Sequence, residues 1–105
     1  MKSIIQDKKE CYVCGQFYGL HDHHIFFGSA RRRISEREGL KVWLCGRHHN
    51  MSDEGVHFNK DLDKELKITA ETVWCEKHGK TPDDFIKLMG RNYLWEKKYW
   101  LNATK

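Results

Sequence analysis

The sequence predicts a small α+β domain: a β-hairpin flanked by metal ligands, with helices following it. Three observations predict this. Two ligand pairs, Cys11-x-x-Cys14 and Cys45-x-x-His48, bracket two strand-like runs. Beyond His57 the apolar residues recur at three- and four-residue intervals, the helical period. The chain has 105 residues and so forms one domain, residues 1–105, burying only roughly 65% of the surface its unfolded form exposes. A core that thin calls for a staple.

The elements follow in order. Residues 11–27 read as a Cys-x-x-Cys knuckle, a glycine-containing turn and a strand from Leu20 to Phe27, rich at its end in β-branched and aromatic residues. Residues 28–38 are polar and read as a connection. A second strand, Leu40–Leu44, delivers the chain to Cys45. The helical part, residues 60–101, opens with Leu62, Leu66, Ala70, Val73 and Trp74 on one face. Asn59 is its N-cap, Asp61 and Asp63 sit at the positive end of its dipole, and Gly79 ends it. Thr81, Pro82, Asp84 and Gly90 outline a second helix, with core contacts from Phe85, Ile86 and Met89. The tail through Leu101 reads as a last amphipathic segment that packs over the hairpin.

Composition narrows the function classes. With 39% hydrophobic and 32% charged residues and a single proline, the chain folds rather than staying disordered. No stretch approaches the roughly 20 apolar residues of a membrane span, and the first residues lack a signal-peptide core. A cytoplasmic protein is expected. In a reducing compartment, paired Cys and His spacings are better read as metal ligands than as disulfides. The net charge of +4 lies wholly in the first half, where nine Lys/Arg meet five Asp/Glu; residues 50–105 carry ten of each. That asymmetry suits a polyanionic partner.

Cys11, Cys14, Cys45 and His48 form two half-sites of the type that closes on one tetrahedral zinc, since a two-residue spacer lets both side chains of a tight turn point inward. A closed Cys₃His site leaves no position for substrate, so its expected role is structural. Cys75-x-x-His78 has the same spacing but no partner pair, and reads as a core thiol and a helix-end histidine.

Six of the seven histidines fall between His21 and His57. Asp22-His23-His24-Ile25, followed by Leu44-Cys45-x-x-His48-His49, is similar to the motif of zinc-knuckled HNH endonucleases. The whole chain also resembles small HNH proteins of phages and prophages, with motif core 11–59. The resemblance implies a ββα-metal, treble-clef-like fold and hydrolysis of DNA phosphodiester bonds in a bacterial host cell. It implies His24 as general base, His23 as a ligand of a catalytic Mg²⁺, Mn²⁺ or other divalent ion, and His57 or His49 as the downstream ligand. Asn50 would bind the metal or orient water. Two positions depart from the pattern: Leu40 stands where the family often has asparagine, and Asp53 where a histidine is usual.

The chemistry is sensible in its own terms, because histidine titrates near neutrality and a cation stabilises phosphoryl charge. Adjacent strand residues point to opposite faces, however, so His23 and His24 serve one site only if the strand ends or bulges there. His21 is left as a phosphate contact, a support for His23 or an exposed side chain. Asp53 and Glu54 read as solvated loop acids. Arg31, Arg32, Arg33 and Arg37 lie beside the site and suit phosphate contacts that position a nucleic acid without reading its sequence. Tyr93, Trp95, Tyr99 and Trp100 read as packing. The competing expectation is a zinc-stabilised module that binds nucleic acid or protein without cutting.

Overall fold

Polar caps and glycine stops fix where the chain changes direction. The computed structural model describes residues 2–51, 55–91 and 93. Along them run β1 (Leu20–His24), α1 (Ser29–Glu38), β2 (Lys41–Cys45), α2 (Gly46–His49), α3 (Lys60–His78) and α4 (Pro82–Met89). The fold is α+β, a two-stranded antiparallel sheet with helices. Among the described residues no helix is long and apolar enough to cross a membrane.

The strand register sorts the site residues. His21 pairs with Leu44 and His23 with Val42, while Asp22 pairs with Trp43 and His24 with Lys41. Directly opposed residues share a face. One face therefore carries His21 and His23 beside the fully buried Val42 and Leu44; the other carries Asp22 and His24 beside Lys41 and Trp43.

The core gathers Ile25, Phe26, Leu40, Val42 and Leu44 with Leu66, Ala70 and Trp74 of α3 and Phe85 and Met89 of α4. Phe26 is its hub, with ring centroids 5.6 Å from Phe85 and 5.0 Å from Tyr93. Burying one such ring contributes about 1.5–3 kcal/mol. The N-terminal segment closes over the sheet: Ile4 N–H donates to the Gly39 carbonyl at 2.9 Å, and Tyr12 N–H donates to the Trp43 carbonyl at 2.8 Å, which lays the first knuckle on β2.

The two long C-terminal elements match their sequence signals. Asn59 accepts from Leu62 N–H at 3.1 Å, and Gly79 ends α3 at φ 61°. Thr81 and Asp84 form a reciprocal capping box on α4, Pro82 occupies its first turn, and Gly90 stops it. Ile86 is exposed rather than a core contact.

Elsewhere the structure differs from expectation. β1 stops at His24 rather than Phe27, because Phe26 leaves the sheet to bond through its backbone N–H and C=O to the buried Ser35 hydroxyl, at 3.1 and 2.9 Å. β2 starts one residue later than expected and includes Cys45. The polar connection 28–38 is largely a helix. Its residues are good helix formers, but it buries almost nothing except Ser35, so no apolar period announces it. The short α2, which begins directly at Gly46, was not expected. Tyr93 is buried as the packing reading requires. Asp53, Glu54 and the tail residues Asn92 and 94–105, Trp95, Tyr99 and Trp100 among them, lie outside the described residues.

Candidate metal centres

β2 ends at Cys45, and α2 brings His48 back one turn later, while the first knuckle places Cys11 and Cys14 against the same end. A tetrahedral zinc with Zn–S near 2.3 Å and Zn–N near 2.0–2.1 Å requires S···S edges of about 3.8 Å and S···N edges of about 3.6 Å. Cys14 Sγ to Cys45 Sγ is 3.8 Å, and His48 Nδ1 is 3.7 Å from Cys11 Sγ and 3.3 Å from Cys45 Sγ. The four side chains are thus compatible with a zinc site. Burial alone would push the Cys11 thiol up, yet backbone N–H groups of Cys45, Cys14 and Val13 outweigh it and bring the thiol down to about 6. Thiolate is the form that ligates. Among the described residues, Cys75 joins no such group; it is half-buried, its thiol pushed up by burial, and the exposed His78 packs on Trp74.

A second group forms on the neighbouring face of β1. His23, His49 and His57 each offer a ring nitrogen, all within 4.8 Å of one another. His49 arrives on α2; His57 follows because Val56 N–H and His57 N–H bond back to the carbonyls of His48 and His49, at 2.8 and 3.2 Å. That return brings both downstream candidates to His23. The Nε2 atoms of His49 and His57 stand 3.1 Å apart. An ion held at about 2.0–2.1 Å sets two ligand nitrogens roughly 2.8–3.4 Å apart, depending on octahedral or tetrahedral angles. His23 is only 3% exposed, and its Nε2 is buried with no hydrogen-bond partner among the described residues. Leaving a buried ring nitrogen unsatisfied costs about 1–3 kcal/mol, which a ligated ion would offset.

Charge state agrees with ligation. Burial first, then the neighbouring His49, His57, His24 and Lys67, hold His23 down to about 3. Burial and the facing His57 and His21 hold His49 down to about 4. Both imidazoles are therefore neutral at physiological pH, as metal ligands must be. His57 is exposed, so the group opens to solvent on one side.

His24 is not part of this trio. Strand alternation sends it to the opposite face, where its Nε2 lies 3.2 Å from Glu36 Oε2 of α1. Lys41 sits between two acids, 2.7 Å from Glu36 and 3.2 Å from Asp22. The Lys41 ammonium, and secondarily His24, pull the Glu36 carboxyl down to about 2. Asp22, His24 and Glu36 have ligand-like spacing, but the lysine already supplies their cation. Nothing in the local sequence marks Glu36 or Lys41; the hairpin register and α1 bring them to His24.

An open groove of about 690 Å³ runs along this face, lined by His24, Arg32, Arg33 and Arg37 together with Asp22 and Glu36. Consecutive helix residues are about 100° apart, so three arginines in a row cannot face one way. Arg31 instead points toward the end of α4, where a Cβ on Gly90 would meet its Nη2 at 3.9 Å. Asn50 is exposed at the C-cap of α2.

No family model, curated protein or solved structure matches the chain.

Proposed function

We propose that this protein is a metal-dependent endonuclease of the HNH, ββα-metal type that hydrolyses DNA phosphodiester bonds. The observation that carries the proposal is the trio His23, His49 and His57, three ring nitrogens converging beside one end of β1, with one edge of the group open to solvent. A closed structural zinc site has no use for it. His23, His49 and His57 would hold a divalent ion with positions left for water and phosphate, and such an ion would supply Lewis-acid stabilisation of charge on the phosphoryl and leaving oxygens.

The chain's own groups do the rest. Glu36, anchored by Lys41, favours the Nε2–H tautomer of His24 and stabilises the imidazolium formed when Nδ1 takes a proton from the attacking water. β1 ends at His24, so a strand of DNA that passes the end of the sheet would meet both faces: Arg32 and Arg33 in the groove beside His24 would bind its backbone phosphates, while the trio holds the ion on the other side. A zinc on Cys11, Cys14, Cys45 and His48 would hold the junction of β2 and α2 in place, and with it His49.

Plasmid DNA incubated with the protein and Mg²⁺, Mn²⁺ or Ni²⁺ tests this. Nicking or cutting is expected, and His24→Ala should slow it at least about a hundredfold, the low end of a positioned general base, while DNA affinity barely changes. His57→Ala should lose cleavage and recover part of it in excess metal. The proposal fails if no metal supports cleavage of duplex, single-stranded or branched DNA, or if His24→Ala cuts at the wild-type rate. A zinc-stapled binding module is the second reading, favoured by the placement of His24 on the face of β1 opposite the trio; it expects DNA binding and no cleavage.

A further inference from the structure

We infer that His21 is a positioning residue for the trihistidine centre: it accepts the Nδ1–H of His49 and so keeps the Nε2 lone pair of His49 turned toward His23 and His57. The inference rests on the reading of those three residues as metal ligands.

The two Nδ1 atoms of His21 and His49 are 2.7 Å apart. At that distance one nitrogen must donate and the other accept. His49 has its Nε2 facing the Nε2 of His57 at 3.1 Å, so Nε2 is the atom it offers to an ion. A metal-binding nitrogen carries no proton, which places the proton of a neutral His49 on Nδ1, in front of His21. The opposite tautomer would aim an N–H at the place the ion takes. His21 therefore selects between a ligating and a non-ligating form of its neighbour.

The fold explains why His21 holds this position. It stands two residues before His23 and so on the same face of β1, opposite Leu44. α2 starts immediately after β2 and carries His49 over that face, where the two rings meet edge to face with centroids 4.8 Å apart. Ligating histidines usually give their second N–H to a carboxylate or carbonyl. An imidazole in that role orients the ligand without the negative charge a carboxylate would add, which leaves the charge of the ion undiminished for an anionic phosphate.

Co²⁺ titrated into the zinc-loaded protein, without DNA, tests the inference. Asn places its Oδ1 where His places Nδ1, whereas Leu fills similar space with no acceptor. His21→Leu should bind Co²⁺ about 10- to 100-fold more weakly, the usual cost of losing such a partner, with unchanged structural zinc, melting temperature and Co²⁺ band shape. His21→Asn should bind within about threefold of wild type, since an acceptor is restored. Wild-type affinity in His21→Leu overturns the inference, as does equal loss in Asn and Leu, which would indicate packing alone. A changed band shape would make His21 itself a ligand and also overturns it. If the wild type takes up no Co²⁺ beyond the Cys₃His site, the trihistidine reading falls first and this inference with it; thiolate charge-transfer bands tell the two sites apart.

Discussion

A Cβ on Gly39 would stand 2.5 Å from the Lys2 carbonyl oxygen and 3.1 Å from Ile4 Cγ2, at a residue whose φ is +74°. Two separate costs meet there: the left-handed backbone, about 1–2 kcal/mol for a residue with a side chain, and the displacement of the segment that closes over the sheet. Gly79 shares the first cost without the second, since φ is +61° and nothing lies within 4 Å of its Cβ. Gly39→Ala should therefore lower the urea midpoint of the zinc-loaded protein clearly more than Gly79→Ala, with the pure backbone strain of about 1 kcal/mol as the floor. Equal midpoints would mean that the N-terminal segment contributes nothing at this contact. Of these two glycines only Gly79 was legible in the sequence, because it ends a periodic helix; Gly39 ends a helix with no apolar period to end. The histidines divide in the same way. His23 stood out by its position in a motif, whereas the role of His21 depends on strand alternation and on α2 crossing that face. The choice between His49 and His57 was open in the sequence because nothing there shows the chain folding back from residue 56 to residue 48; those backbone bonds bring both to His23.

At the scale of elements, α3 and α4 were readable from end to end because their caps are local chemistry: Asn59, Thr81 and Asp84 each bond within three residues of their own position. α1 was not, since its only deeply buried side chain is a serine whose value comes from Phe26, nine residues earlier. Making residues 29–38 helical rather than extended changes what the arginines can do. Arg32 and Arg33 line the groove with His24, while Arg31 turns toward α4. Replacing Arg32 and Arg33 together by Ala should weaken DNA binding across sequences and reduce the slope of log K against log salt by about 1.8, about 0.9 for each phosphate no longer neutralised. Arg31→Ala should leave that slope unchanged. Binding measured between low and moderate salt separates them: an equal effect from Arg31→Ala would place the DNA elsewhere, and no effect from the pair would assign these arginines to solubility.

At the scale of the whole molecule, the Cys11, Cys14, Cys45 and His48 group, compatible with a zinc site, joins what the sheet and core leave loosely tied. Cys11 and Cys14 lie on a knuckle whose neighbouring aromatic side chains, Phe17 and Tyr18, are largely exposed, so little apolar burial fixes this end. Cys45 and His48 span the junction of β2 and α2, the junction that also sets the direction of His49. A structural zinc contributes on the order of 10 kcal/mol, comparable with the roughly 5–15 kcal/mol of net stability typical of a domain. Removing it should therefore cost most of the fold and not only the knuckle. Cys45→Ser should purify without tightly bound zinc and lose its cooperative thermal transition, and the wild type stripped by a strong chelator should behave the same way. α3 and α4 carry their own caps and share the Trp74–Phe85 contact, centroids 5.5 Å apart, so part of the helical circular dichroism should survive while the aromatic near-ultraviolet signal is lost. A weaker chelator should empty the trihistidine centre first, because an open site holds its ion less tightly than a closed thiolate site, and at that stage the melting curve should barely move. A zinc-free Cys45→Ser protein that melts cooperatively at the wild-type temperature would show that the sheet and helices hold this chain without a metal.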